Sequence, residues 1–216
     1  MAWVEEMSEQ DQSRTDVLRA SPPMFDSRLL DFFSRVHPVV PVLIFAPAIV
    51  VLEAWGLSKQ GLAAALGLTV AGYVIWTLFE YWLHRLVFHF EPEHGLGARL
   101  HWIIHGVHHD HPNDPLRLVM PPAVSVPLAA AIFALLYATF GEAYAPCMVA
   151  GFFAGYLAYD MLHYYLHHFV PRGPVGRMLR ERHMRHHFQD ETRGFGISAP
   201  YWDEVFRTSA RDARRN

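Results

Sequence analysis

Four apolar stretches dominate the hydrophobic pattern of the chain. They run from Val39 to Leu57, Leu62 to Leu83, Ala123 to Phe140 and Ala145 to Leu162. A helix needs about 20 mostly apolar residues to cross a bilayer, and these stretches are close to that length. The links within the first pair and within the second pair are very short, which predicts two antiparallel helical hairpins. We therefore expect an all-α integral membrane protein with four transmembrane helices. Four core helices of a soluble protein are the less favoured alternative.

The residues before the first stretch have a different character. Residues 1–37 are mostly polar, and acidic residues stand where a signal peptide would carry positive charge, so we expect no cleavable signal. Within this segment, Phe25 to Val36 is amphipathic. It is predicted to be a helix that either lies at the membrane surface or packs on the protein's own core. We expect residues 38–216 to form one membrane domain.

The basic residues are distributed on one side of the predicted topology. Of the 18 basic residues, 17 are Arg, and all of them lie in the N-terminal segment, in the loop from Arg85 to Arg117, or in the tail from Arg172. Lys59 alone lies on the opposite side. The positive-inside rule then places both termini and the central loop in the cytoplasm. The net charge of -3 gives no indication of a nucleic-acid partner.

Histidine is the compositional anomaly, with 15 residues in a chain of 216. Ten of them form four clusters that follow the cytoplasmic ends of the second and fourth stretches, or lie in the cytoplasmic loop and tail. The clustered residues are His84, His89, His105, His108, His109, His163, His167, His183, His186 and His187. One membrane face therefore receives all four clusters.

The spacing within the clusters suits metal binding. Residues three and four apart share a helix face, which aligns His105 with His108 and His109, and His183 with His186 and His187. His84 and His89 are five apart, so we expect the helix to end or loosen between them. Imidazole binds iron, copper, nickel and zinc. Ten ligands are too many for one ion, and two ions with about five nitrogens each would keep an open position for oxygen or water. The single cysteine, Cys147, excludes an intramolecular disulfide and a cysteine-rich zinc module.

Other roles are predicted for the remaining histidines and for the acidic residues. His101 is predicted to be a supporting or reserve ligand, and His37, His94, His111 and His168 are expected to be ordinary structural or solvated residues. Metal-bound histidines usually donate their second N–H to a carboxylate or a carbonyl. Asp160 is the best candidate for this supporting role, because it precedes His163 by three residues. Other carboxylates near the clusters are Glu80, Asp110, Asp114 and Asp203.

Several segments resemble the membrane-bound fatty acid hydroxylase and sterol desaturase superfamily, and most of all its fatty acid 2-hydroxylases. The matching stretches lie between Glu80 and Thr208 and are EYWLHRLVFHF, LHWIIHGVHHDHPNDPLRLVMPP, YDMLHYYLHH, LRERHMRHHF and FGISAPYWDEVFRT. The histidine pattern is common to the whole superfamily. The RLVMPP, FGIS and WD segments favour the 2-hydroxylase branch.

The resemblance implies a four-helix membrane anchor beneath a cytoplasmic, histidine-rich helical cap. It also implies that the ten clustered histidines bind two metal ions. These would be iron in function, with zinc able to replace iron in isolated protein, and molecular oxygen would hydroxylate a lipid acyl chain. Eukaryotic relatives carry a fused cytochrome b-type haem domain. The segment before the first stretch is too short for one, so we expect electrons from a separate donor of cytochrome or ferredoxin type.

Two alternatives to a 2-hydroxylase remain open from the sequence. A carotenoid or sterol hydroxylase or desaturase of the same superfamily would share every histidine. A metal transporter would be expected to place its ligands near the bilayer midplane, whereas here they lie at the ends of the spans. The aromatic residues near the clusters either line an acyl tunnel or anchor the protein at the membrane interface. They are Tyr81, Trp82, Tyr159, Tyr164 and Tyr165.

Overall fold

The computed structural model describes residues 13–210, and every regular element in that range is helical. The elements are α1 (Arg14–Arg19), α2 (Arg28–Ser34), α3 (Val39–Leu57), α4 (Leu62–Leu83), a π-helical turn (His84–Phe88), α5 (Gly95–His101), a second π-helical turn (Trp102–Gly106), α6 (Val107–Asp110), α7 (Pro122–His168), α8 (Pro174–Phe188) and α9 (Tyr201–Val205). The all-α prediction is confirmed for these residues. The two chain ends, residues 1–12 and 211–216, which the topology prediction places in the cytoplasm, lie outside the described residues.

Three helices are long and apolar enough to cross a membrane: α3, α4 together with the π-helical turn that extends it to Phe88, and α7. Helices α3 and α4 begin at the residues predicted from the sequence. Pro38 occupies the N-cap of α3, and Gly61 occupies the N-cap of α4. The prediction of two helices, Ala123 to Phe140 and Ala145 to Leu162, agrees with a break in the structure at Gly141, which lies in the predicted link. The two helices follow each other directly, so that Pro122–His168, 47 residues in all, is helical on both sides of this break.

This long helix is broken at a single residue. Gly141 has a φ of 70° and a ψ of 178°, a conformation that glycine adopts without the steric cost of a Cβ atom. The chain folds back there, since Ser125 and Ile132 before the break line the same small cavity as Phe152 and Tyr156 after it. The predicted loop between two helices is therefore a one-residue reversal.

The core lies where α3 and α4 pack against the second half of α7. Phe45 of α3 contacts the rings of Phe153 and Tyr156 at centroid distances of 5.4 and 4.7 Å. Helix α4 approaches α7 even more closely at Gly72, where an added Cβ would lie 1.9 Å from the carbonyl oxygen of Met148. Small residues allow such close contact between apolar helices. This packing fixes the ends of α4 and α7, from which histidines project.

The N-terminal segment packs against the loop that follows α6. Within the amphipathic stretch predicted for Phe25 to Val36, only Arg28–Ser34 is helical, and Ser27 caps it by accepting a hydrogen bond from the amide of Leu30. Val36 is buried, while Leu29 and Phe32 are 65% and 69% exposed. The stretch is therefore partly packed on the protein and partly open on an apolar face.

Candidate dimetal centre

Ten histidines converge into two adjoining groups. Within each group, one ring nitrogen from every member lies within 4.8 Å of the others. Group A consists of His84, His89, His105, His109 and His186, and group B of His108, His163, His167, His183 and His187. The two groups touch, since the rings of His109 and His187 stack with a centroid distance of 4.3 Å. The structure brings together all ten residues that the sequence predicts as ligands.

Each HxxHH cluster contributes to both groups. His105 and His109, four residues apart, belong to group A, whereas His108 belongs to group B. The tail cluster is divided in the opposite sense, because His186 belongs to group A and its neighbours on α8 to group B. Adjacent helical residues point about 100° apart around the helix axis. Neighbouring histidines of one helix can therefore bind two neighbouring ions.

A π-helical turn brings His84 and His89 together. The amide of His89 donates to the carbonyl of His84 at 3.1 Å, and the Nε2 atoms of the two rings lie 3.2 Å apart. The i→i+5 bond of a π-turn aligns residues that an α-helix would splay. The expected loosening of the helix is confirmed. His101 lies outside both groups, and its ring donates to the carbonyl of Phe88 at 2.8 Å, at the end of this turn.

Burial keeps the clustered rings neutral. It lowers the pKa of His89 to about 3, with the nearby His186 ring adding to the effect, and it lowers the pKa of His186 to about 4. The pKa values of His105, His183 and His187 are also well below the usual value, first because of burial and then because of neighbouring imidazoles. A neutral imidazole has a free nitrogen lone pair, which is the form that binds metal.

The distances between facing nitrogens fit a metal site. The Nε2 atoms of His167 and His183 lie 2.7 Å apart, and those of His108 and His187 lie 3.0 Å apart. Metal–imidazole bonds of about 2.0–2.1 Å place neighbouring ligand nitrogens roughly 3 Å apart. Buried lone pairs that face each other in this way are stabilised by a cation between them. The donor set therefore fits two metal ions.

Backbone carbonyls orient two rings of group A. The Nδ1 atom of His84 lies 2.8 Å from the carbonyl oxygen of Phe195, and Nδ1 of His186 lies 2.7 Å from that of Arg193. A carbonyl only accepts, so both Nδ1 atoms donate and both Nε2 atoms are left free for metal. The pattern of histidines does not indicate these partners, because every residue type has a backbone carbonyl. The FGIS segment next to them was the available signal.

Asp160 is buried and lines the cavity described below, but no hydrogen bond joins it to a histidine ring among residues 13–210. Its predicted role in orienting a ligand stays a prediction. The remaining histidines are outside both groups, as expected. His37 accepts from the amide of Val39, His111 contacts the carbonyl of Val17, and His94 has a side chain that is 91% exposed.

An apolar cavity of about 280 Å³ leads to the histidines. Its inner wall includes His105 of group A and His108 and His163 of group B. Leu30 and Phe33 of α2 also line this cavity. Of the aromatic residues considered for a tunnel, Tyr159 lines this cavity, and Tyr81, Trp82, Tyr164 and Tyr165 are absent from its lining. A volume of this size and polarity suits part of a lipid chain.

Comparison with known proteins identifies the family. The model of the family described as fatty acid hydroxylase matches residues 69–208, a range that contains all ten clustered histidines. The chain belongs to the fatty acid hydroxylase family. It is therefore a membrane oxidoreductase that uses oxygen to hydroxylate lipid chains, which rules out the metal-transporter alternative.

Named relatives of this hydroxylase are fatty acyl hydroxylases. It is 38% identical over 189 residues to the dihydroceramide fatty acyl 2-hydroxylase FAH2 of Arabidopsis thaliana, covering 87% of this chain and 79% of that one. It is 42% identical over 147 residues to the fatty acid 2-hydroxylase of Rattus norvegicus, covering 66% and 39%. A solved structure described as full-length scs7p, in which only the hydroxylase domain is visible, superposes with a TM-score of 0.80 at 35% identity. That match covers 84% of this hydroxylase and 70% of the solved chain.

Proposed function

We propose that the chain places a hydroxyl group on carbon 2 of a fatty acyl chain. The reaction would use two iron ions, molecular oxygen and electrons from a separate donor. The observation that carries the proposal is the apolar cavity, which ends on His105 of group A and on His108 and His163 of group B. A chain lying in this cavity has its C–H bonds beside both groups.

Groups A and B would each hold one iron through five imidazoles, with zinc able to take the same positions in isolated protein. The metals supply the oxidising power that an unactivated C–H bond requires, because no side chain can provide it. The balanced reaction converts one C–H bond, O₂, two electrons and two protons into one C–OH group and water. One oxygen atom enters the lipid, and the other leaves as water.

The protein's own side chains position the acyl chain and exclude water. Phe88 stacks on the ring of His105 with a centroid distance of 4.8 Å, and Val107 and Val119, both less than 5% exposed, line the same cavity. Apolar walls next to buried imidazoles keep bulk water away from the reacting carbon. Dry surroundings also protect a strong oxidant from side reactions.

The shape of the entrance supports oxidation near the head group. Leu30, Phe33, Ile104 and Val124 both line the cavity and are about half exposed, so they mark its mouth. An apolar mouth suits a lipid that enters from the bilayer. The polar head would stay near the interface, and the carbons next to the acyl carbonyl would lie closest to the metals. The 2-hydroxylase names of the relatives agree with this position.

The fold supports four membrane crossings with all ten histidines at one face. A straight helix of 47 residues would extend about 70 Å, more than twice the hydrocarbon thickness of about 30 Å. The reversal at Gly141 divides α7 into two spans. At the far end of the bundle, Lys59 pairs with Glu142 at 2.6 Å, which brings the two short connections together. The arginine distribution supports a cytoplasmic location for the histidine end and for both termini.

The N-terminal segment would lie along the membrane surface. The exposed side chains of Leu29 and Phe32 on α2 would enter the interface between lipid head groups and acyl chains. In this arrangement residues 1–37 form an accessory segment, and residues 38–216 form the hydroxylase domain. The segment also supplies part of the cavity wall, so it would border the path of the substrate.

Analysis of the lipid product tests the proposal. The chain is expressed with deuterium-labelled palmitate, and the position of new oxygen is determined by mass spectrometry. We expect oxygen on carbon 2 with loss of one deuterium there, and no such product from the His105→Ala variant. Oxygen at mid-chain or at the terminal methyl, a new double bond, or a modified carotenoid would overturn the assignment.

A further inference from the structure

A short turn after α8 presents two carbonyl oxygens to group A. This carbonyl turn comprises residues 193–196. Its Arg193 carbonyl accepts from Nδ1 of His186 at 2.7 Å, and its Phe195 carbonyl accepts from Nδ1 of His84 at 2.8 Å. The two histidines lie on different elements, since His84 follows α4 and His186 is on α8. One turn therefore sets the orientation of two rings that come from distant parts of the chain.

Each of these carbonyls belongs to a peptide unit that is also held from its other side. The N–H and C=O of a trans peptide point in opposite directions, so a partner that holds the N–H also aims the C=O. The amide of Gly196, in the same peptide as the Phe195 carbonyl, donates to Oδ2 of Asp203 at 3.0 Å. The amide of Gly194, in the same peptide as the Arg193 carbonyl, donates to the carbonyl of Thr208 at 2.8 Å.

Asp203 holds the Phe195–Gly196 peptide directly and the Arg193–Gly194 peptide through Thr208. Its Oδ1 atom accepts from the amide of Phe195 at 2.9 Å and from the hydroxyl of Thr208 at 2.8 Å. Its backbone carbonyl accepts from the amide of Thr208 at 2.8 Å. The residue is 2% exposed, and Thr208 also contacts the hydroxyl of Tyr81 at 2.9 Å, which ties the assembly to α4. A buried carboxylate that accepts hydrogen bonds from three donors is held in one geometry.

We propose that Asp203 is a positioning residue for metal retention in group A. It acts through the carbonyl turn on His84 and His186. The proposal rests on the proposed function only in requiring that both groups bind metal. Group B has no such link to Asp203. A cavity of about 10 Å³ lies between Asp203 and His183 of group B, and no hydrogen bond joins these two residues within residues 13–210. Removal of the carboxylate should therefore weaken group A more than group B.

The test measures metal affinity of each group separately in the full chain, purified in detergent and loaded with Zn²⁺. One background disables group B through His163→Ala and His167→Ala, and the other disables group A through His89→Ala and His109→Ala. Asp203→Asn is added to each, and competition with a chelator gives the dissociation constant. Loss of a partner behind a metal-bound histidine typically weakens affinity by about 10- to 100-fold. We expect this loss in the first background and a change below about threefold in the second.

Two further variants separate positioning from general destabilisation. Glu204→Gln is the matched control, since Glu204 adjoins Asp203 but is exposed and pairs only with Arg182 in the contacts described. We expect no change from it. Gly194→Ala disturbs the other peptide, because Gly194 has a φ of 80° and an added Cβ meets only ordinary contacts at 3.6 Å. It should also lower the Zn²⁺ affinity of group A. If Asp203→Asn does not fold, this variant tests the positioning role in its place.

The outcomes distinguish this inference from the proposed function. Equal weakening of both groups, or no weakening of group A by either variant, would overturn the positioning role. An unmodified chain that binds fewer than two Zn²⁺ ions would instead contradict the dimetal assignment on which it rests.

Discussion

Arg117 and Asp31 form a buried ion pair, with Nη2 of Arg117 donating to Oδ1 of Asp31 at 3.0 Å. The pair joins α2 to the loop after α6, and Arg117 also donates to the carbonyl of Pro22. Both residues are less than 10% exposed. Because Arg117, together with Leu30 and Phe33 of α2, lines the apolar cavity, this pair holds one wall of that cavity in place.

We expect Arg117→Gln to destabilise the protein far more than Arg35→Gln. Arg35 binds the same carboxylate at 2.6 Å, but its side chain is 31% exposed. Breaking a buried pair costs about 3–5 kcal/mol, whereas solvent weakens a pair whose cation is partly exposed, so that the loss of Arg35 costs less. Thermal unfolding in detergent would show the difference as a larger fall in Tm for Arg117→Gln. Equal shifts for the two variants would refute this account of the α2 attachment.

The division of the histidines predicts the metal stoichiometry of single variants. The unmodified chain should hold two ions. His105→Ala of group A and His187→Ala of group B should each lower the metal content towards one, because a ligand is lost from a different group in each case. His94→Ala, whose exposed ring lies outside both groups, should retain two. Elemental analysis checks the set, and a single equivalent that survives both ligand variants would exclude a dinuclear centre.

A bulky residue at the cavity mouth should block the substrate without disturbing the metals. Ala123 is exposed and lines the cavity, so Ala123→Phe places a ring across the entrance. We expect at least a tenfold loss of hydroxylation of long acyl chains with unchanged metal content. Ala138→Phe is the control, because Ala138 is exposed on the same half of α7 but does not line the cavity. Full activity of Ala123→Phe would place the substrate path elsewhere.

The proposed topology predicts the sidedness of reporters. A reporter fused at the C-terminus should report the cytoplasm, and one inserted after Lys59 should report the opposite side. The physical reason is that 17 arginines are on one side of the proposed bundle and the single lysine is on the other. Protease protection in sealed vesicles provides an independent reading. If both reporters lie on the same side of the membrane, the arrangement with four crossings is wrong.

The proposed dependence on a separate electron donor is testable with purified protein. An iron–sulfur cluster normally takes four cysteines, and the sequence contains one. We therefore expect no turnover with iron, oxygen and NADPH alone, and turnover after addition of a reductase with a cytochrome or ferredoxin. Sustained product formation without any added protein would show that the chain obtains electrons by itself.

The sequence by itself determined where the long apolar helices lie and which histidines come together. A long apolar segment is stable in a bilayer as a helix, because a helix satisfies its backbone hydrogen bonds internally. Val39–Leu57 and Leu62–Leu83 could therefore be predicted from hydropathy alone. The ten histidines were identifiable because clusters of imidazoles at the ends of such runs are expensive to bury without metal. The five-residue spacing of His84 and His89 also predicted the loosened helix that the structure shows as a π-turn.

Only the tertiary structure decided how these parts combine. Helical periodicity places His105, His108 and His109 on one side of the helix, but the packing of α8 and α7 against them decides which histidines share a group. Hydropathy placed the break in α7 between residues 140 and 145, but the reduction of that link to one residue depends on the backbone conformation of Gly141, which hydropathy does not encode. The carbonyls of Arg193 and Phe195 carry no residue-specific signal, since every residue has a carbonyl, and only the fold brings these two to His186 and His84.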